Sequence, residues 1–165
     1  MKSRKGLVLT ALVLFGSLFI AFRSINGADS NEKIAQQQRL LNTVGMLLEQ
    51  QHYSPKKIND EFSKKVFKGY LDQLDGDKSI FTAEDVNGLK KMETTIDDEI
   101  HGAAMQFQPT VSSIYSKRVE ETVRFYKEIL SKPFDFSVNE SVQLDGEKLN
   151  YTQTDEARKD RWRKK

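Results

Sequence analysis

Ile58, Phe62, Val66, Tyr70 and Leu74 stand four positions apart, and Phe67 and Leu71 widen the same stripe. A strand would throw those last two to the opposite face. A helix gathers all seven on one side, so this stretch must be an amphipathic helix with a face to bury. Ser54-Pro55 supplies a start for it, with Ser as N-cap and Pro at the first helical position. Upstream, Ile34, Leu40, Leu41, Val44, Leu47 and Leu48 recur at helical spacing between Asn31 and Gln51, until His52-Tyr53 interrupts. Downstream, Asp75-Gly76-Asp77 breaks the helix, and Thr82 to Asp85 opens the next as a capping box with Asp in place of the usual Glu or Gln. Val86, Leu89, Met92, Ile96 and Ile100 give that helix its inner face. Gly102 to Gln108 reads as a loop. Pro109 starts a further helix through Val111, Ile114, Tyr115, Val119, Thr122, Tyr126, Ile129 and Leu130, which Lys132-Pro133 stops.

The period then changes. Phe134, Phe136 and Val138 alternate, as do Val142 and Leu144, and Asp145-Gly146 is a two-residue hairpin signal with Lys148-Leu149-Asn150 as the return strand. From Thr154 the chain is charged and helix-favouring. It stops on Trp162-Arg-Lys-Lys without Gly, Pro or cap, which reads as a chain that continues. At the other end, the basic Met1–Lys5 precedes an uncharged run, Gly6–Ala21, the n-region and h-region of a secretory signal. Sixteen residues at about 1.5 Å each fall slightly short of a bilayer core of about 30 Å. The segment is thus a cleaved signal peptide or a retained anchor. The expected fold is mainly α: a signal or anchor helix over 1–28, a helical domain of about four to five helices over 29–131, a hairpin segment over 132–152, and the start of a charged helix over 153–165.

Charge and composition narrow the function. Net charge is +2, but Lys2, Arg4, Lys5 and Arg23 supply four positive charges within the first 28 residues, which hold no acid. The remainder balances 22 basic against 24 acidic residues, a poor match to a nucleic-acid-binding domain. With no Cys, thiol catalysis, disulfides and Cys-bound metal are excluded. Asp72, Asp75, Asp77 and Glu84 surround a turn between helices, yet a calcium loop counted from Asp75 would need Gly where Ile80 stands and a bidentate acid where Val86 stands. Turn and N-cap duties explain these acids. His52 and His101 are far apart in sequence and lack acids at metalloprotease spacing. No Gly-x-Ser-x-Gly elbow or phosphate-cradling loop occurs. Arg158–Lys165, with acids nearby, reads as a solvated helix face. The pattern offers no catalytic residue, no cofactor-binding residue and no metal ligand.

Gln51 to Val86 resembles the N-terminal helical region of the tail-specific (carboxy-terminal processing) serine proteases. The resemblance rests on His52-Tyr53, Tyr70-Leu71, Leu74-Asp75, Lys78, Phe81 and Asp85-Val86, with Gly76 where that family usually has Pro. Pro133 to Phe136 and Arg161 to Lys164 resemble it too. The resemblance implies an envelope serine endopeptidase of the periplasm, or of the periplasmic face of the inner membrane, that cuts exported proteins near their C-terminal ends. A PDZ domain gathers the tail and a Ser/Lys dyad performs the acyl transfer. Both lie outside the region represented here, so no catalytic role is carried to any residue of this chain. The implied partners are unfolded or C-terminally tagged exported proteins and an adaptor protein, with no nucleic acid and no cofactor. A self-standing, membrane-anchored helical interaction module is the alternative.

Overall fold

The computed structural model describes residues 32–165. The expected signal or anchor segment lies outside those residues. The described part is mainly helical, in the order α1 (32–46, running into a π-helical turn Leu47–Gln51), α2 (Asp60–Leu74), α3 (Ala83–Leu89), α4 (Ile96–Ile100), α5 (Phe107–Leu130) and α6 (Asp155–Arg163). Short 3-10 turns at Lys90–Met92 and Gly146–Lys148 complete it. Among the described residues, no helix is long and apolar enough to cross a membrane.

The core forms where α2 packs on α4 and α3 packs on α5. Ile58, Phe67, Leu71, Phe81, Leu89, Ile96, Ile100, Phe107 and Val111 are buried, with Phe62, Val66, Tyr70 and Leu74 of the four-residue stripe packed against them. Phe107 is the aromatic hub, its ring centroid 5.6 Å from Phe67 and 5.4 Å from Tyr70. Burial of each such side chain stabilises by about 1.5–3 kcal/mol relative to exposure. α1 closes on α4 at Gly45, where an added Cβ would stand 2.3 Å from Ile100 Cγ2. Gln38 Nε2 completes the contact by donating to the Glu99 carbonyl at 2.7 Å.

Several boundaries differ from expectation, and each has a local cause. α2 begins at Asp60 rather than at Ser54-Pro55, because the Asn59 side chain accepts from Phe62 N–H and caps it there. The helix expected from Thr82 through Ile100 is broken after Leu89. The Met92 carbonyl takes the Thr95 N–H and hydroxyl, both at 3.3 Å. The chain restarts as α4 with a cap borrowed from α2, since Asp97 N–H donates to the buried Ser63 hydroxyl at 2.8 Å and Ser63 Oγ donates back to Asp97 Oδ1 at 2.6 Å. α5 also borrows its cap. It starts at Phe107, where the buried Glu99 carboxylate accepts the N–H groups of Gln106 and Phe107 at 3.0 and 2.9 Å. Pro109 then lies in the first turn, where no N–H is needed.

The expected hairpin does not form. Residues 134–145 run without a β-ladder, and Gly146–Lys148 is a 3-10 turn. The Asp145 side chain accepts from Glu147 N–H and caps that turn instead of leading a return strand. Gly146 seats directly on the turn after α2: a Cβ there would lie 1.8 Å from the Gly76 carbonyl oxygen. The sole β-type pairing among the described residues is an isolated parallel bridge between Thr82 and Thr152, where Ala83 N–H donates to the Thr152 carbonyl at 2.9 Å.

Candidate functional site: a turn clamped by the last helix

The turn from Asp75 to Phe81 carries Asp75, Lys78 and Phe81 of the resemblance motif, and both edges of its backbone are satisfied by side chains. On the inner edge, the Asp75 carboxylate accepts three N–H groups, from Ser79 (2.7 Å), Ile80 (3.0 Å) and Phe81 (2.8 Å). Burial pushes the Asp75 carboxyl above its ordinary range and outweighs the three donors. On the outer edge, three successive carbonyls are taken by α6. Lys78 O accepts from Arg161, Ser79 O from Trp162 Nε1 at 2.9 Å, and Ile80 O from Arg158 Nη1 at 2.8 Å. One acid therefore fixes the turn from within while three α6 side chains clamp it from outside. Lys165 adds a contact to Asp77.

Behind the clamp lies an ion network. Arg118 of α5 donates to both oxygens of Asp85, at 2.7 and 3.0 Å, and to Glu121 at 2.8 Å. Asp85 is also the third residue of the Thr82 capping box, so α5 grips α3 at its N-terminus. Glu121 accepts in turn from Arg158 at 2.5 Å, and Arg158 reaches Asp155 at 3.1 Å. The Arg158 guanidinium lies 4.9 Å from the Phe125 ring centre, and the residue is 0% exposed. Burial raises both carboxyls, but Arg118 with the Thr82 donors outweighs it at Asp85, and Arg118 with Arg158 outweighs it at Glu121, so both lie below their ordinary range. Hydrogen bonding to Asp85 drives Arg118 upward. Each of these carboxylates is paired with a guanidinium, so the node is a positioning device and presents neither a free base nor a nucleophile.

The residues singled out by sequence fall into place around it. Asp72 pairs with Lys68 and Lys78, Asp77 accepts from Ser79 Oγ, and Glu84 is exposed in the first turn of α3. Among the described residues no group of three or more His, Asp or Glu side chains could hold a metal. His52 bonds the backbone of Ser54, whereas His101 meets Glu49 at 3.2 Å, so the two histidines serve different contacts. The buried serines are committed as well, Ser63 to the cap of α4 and Ser79 to Asp77.

The reading of Arg158–Lys165 as a solvated face is overturned for half of it. Arg158 is fully buried, and Arg161 and Trp162 are turned onto the turn carbonyls. Arg118, Glu121 and Arg158, which join α3, α5 and α6, were not apparent as a set. The available signal was faint: an i,i+3 Arg–Glu pair in α5 and a Thr-capped helix whose only apolar members are Ala157 and Trp162.

A family model described as the tail specific protease N-terminal domain matches residues 44–165. A tail-specific protease of Haemophilus influenzae is 28% identical over 109 residues, which cover 66% of this chain and 16% of the relative. The chain thus spans about a sixth of the curated relative it matches. The matched span takes in the core, the clamped turn and the whole ion network, and the chain belongs to the tail-specific protease N-terminal domain family.

Proposed function

We propose that this chain is the N-terminal helical domain of an envelope carboxy-terminal processing serine endopeptidase, and that it governs how unfolded or C-terminally tagged exported proteins, or an adaptor, reach the protease. The family match over 44–165 carries the reading. In it, Gly6–Ala21 directs export to the periplasm or holds the protein on the periplasmic face of the inner membrane. The domain contributes no catalytic group. Its part is geometric: the clamp sets the direction in which α6 leaves the core, and hence the placement of the domain relative to the protease that α6 leads into.

The test uses the full-length polypeptide. Cleavage of a short tail peptide and of an unfolded protein carrying the same tail is compared before and after deletion of residues 32–163. The reading expects short-peptide cleavage to persist while the rate or selectivity toward the unfolded protein changes. Unchanged handling of both substrates would remove the access role. Loss of short-peptide cleavage as well would assign the domain to holding the protease together.

A further inference from the structure

Residues 131–145 are exposed without a break, and 134–144 make no backbone–backbone hydrogen bond among the described residues. Phe136 is 92% exposed and Leu144 77%. What order the segment has is local. Asp135 closes a turn by accepting from the Ser137 N–H and hydroxyl at 2.9 and 2.6 Å, and Gln143 accepts from Asp145 N–H at 2.9 Å. Glu140 ties the segment to Arg163 at 2.6 Å, with both side chains part-exposed. Exposed bonds of this kind are readily exchanged for water, so little holds 134–144 against being drawn out straight. The chain on either side is held firmly. Upstream lies the 24-residue α5. Downstream, 146–165 is fixed to earlier parts of the chain by contacts that bypass the loop. Ala83 N–H donates to the Thr152 carbonyl, Tyr151 packs on the core, and Arg158, Arg161 and Trp162 hold the turn carbonyls.

We propose that 134–144 is a cleavage site open to an endopeptidase that accepts aromatic or aliphatic side chains, and that a cut there leaves the domain assembled, with 146–165 retained by the clamp. Hydrolysis adds one water across a peptide bond such as Phe136–Ser137. It leaves a carboxylate on Phe136 and an ammonium group on Ser137, both in solvent, so neither new charge is buried. Cleavage needs several successive residues that are accessible and whose backbone is free, a condition set by burial and hydrogen bonding. The exposed stretches at 53–57 and 101–104 are shorter and tied back, by Lys56 N–H to the Leu48 carbonyl at 3.0 Å and by Ala103 N–H to the Asp98 carbonyl at 2.9 Å. Cuts inside α2 or α5 would have to unwind a helix first. Retention follows from how α6 is held. Nine residues with Ala157 and Trp162 as their only apolar members do not make a stable helix alone in water, so α6 is helical because it is docked. Its bonds to Ser79, Ile80 and Glu121, with Arg158 fully buried, run from one side of the cut to the other and survive it. The loop supplies the covalent link between α5 and α6, and after cleavage the clamp takes its place. This holds whether or not the chain serves a protease.

Brief digestion of the 165-residue chain with chymotrypsin, in mild detergent, tests both halves. Fragment masses should place the first cut within 32–165 after Phe134, Phe136 or Leu144. Gel filtration of the cut protein at micromolar concentration should carry 146–165 with the larger piece, the two parting only in urea. Phe134→Ser, Phe136→Ser and Leu144→Ser combined should slow that cut at least tenfold and leave the urea midpoint nearly unchanged. A first cut at 53–57, at 101–104 or inside a helix overturns the cleavage site, and so does an unchanged cutting rate in the triple variant. A small piece that separates from the cut wild-type protein without urea overturns retention by the clamp.

Discussion

Replacing Arg158 by Met tests whether the node, rather than apolar packing, holds α6. Methionine keeps much of the length and can lie against Phe125, so the change chiefly deletes the guanidinium. That group is fully buried and serves the Glu121 carboxylate at 2.5 Å and the Ile80 carbonyl at 2.8 Å. Removing one partner of a buried ion pair typically costs about 3–5 kcal/mol, because the remaining charge is stranded. Here Glu121 retains Arg118 at 2.8 Å, which places the loss at the lower end of that range. The Ile80 carbonyl, left without its donor, adds about 1 kcal/mol or more. A total near ~4 kcal/mol corresponds to a fall of roughly 10 °C in Tm for a chain of this size. Urea unfolding followed by Trp162 fluorescence reads both the stability and the seat of α6. Arg163→Ala, which breaks exposed pairs, should leave the urea midpoint almost unchanged in the same assay. A loss below ~1 kcal/mol for Arg158→Met would refute the reasoning.

Gly146→Ala would place a Cβ 1.8 Å from the Gly76 carbonyl oxygen, backbone against backbone, so the loop must lift from the turn, at about 1–3 kcal/mol by urea unfolding; an unchanged midpoint would show that the loop does not seat there. Thr152 Oγ1 is buried without a hydrogen-bond partner, so Thr152→Val should be neutral or stabilising by up to about 1 kcal/mol, and a clear loss would point to a partner for the hydroxyl. Asp85 and Glu121 have folded values below their ordinary 3.8 and 4.5, so the stability they contribute is complete above those values and lost as pH falls through the lower folded ones. Asp75 has the opposite sign: its folded value is raised, so it favours the folded state most when protonated. Asp72, Asp77 and Asp160 are depressed alongside Asp85 and Glu121, so the lowered acids outweigh Asp75 and predict a Tm that falls below about pH 4.5, and a shallower fall in Glu121→Gln.

What the sequence made legible was set by local physics. The α2 stripe, the Thr82 capping box and the charged, helix-favouring run from Thr154 involve residues within a few positions of one another, and all three are present as helices or caps. The starts of α4 and α5 were misjudged because their caps, Ser63 and Glu99, come from other elements. The hairpin failed for a related reason. Alternation at Phe134, Phe136 and Val138 prescribes extended backbone, but it cannot specify a partner strand, and Gly146 was needed against Gly76 rather than in a hairpin turn. The buried side of α6 escaped notice because polar groups hold it. An arginine drawn into a core by a carboxylate in α5 and a carbonyl in a distant turn leaves no mark on a hydrophobic pattern.

The central claim is that this chain is one domain of a longer protease. Native cell envelopes probed with antibody raised against Thr82–Leu130 test it most directly. The account predicts a band several times heavier than the 19.0 kDa of this chain. A band at or just below 19.0 kDa would contradict it and leave a self-standing helical module whose partner must be sought.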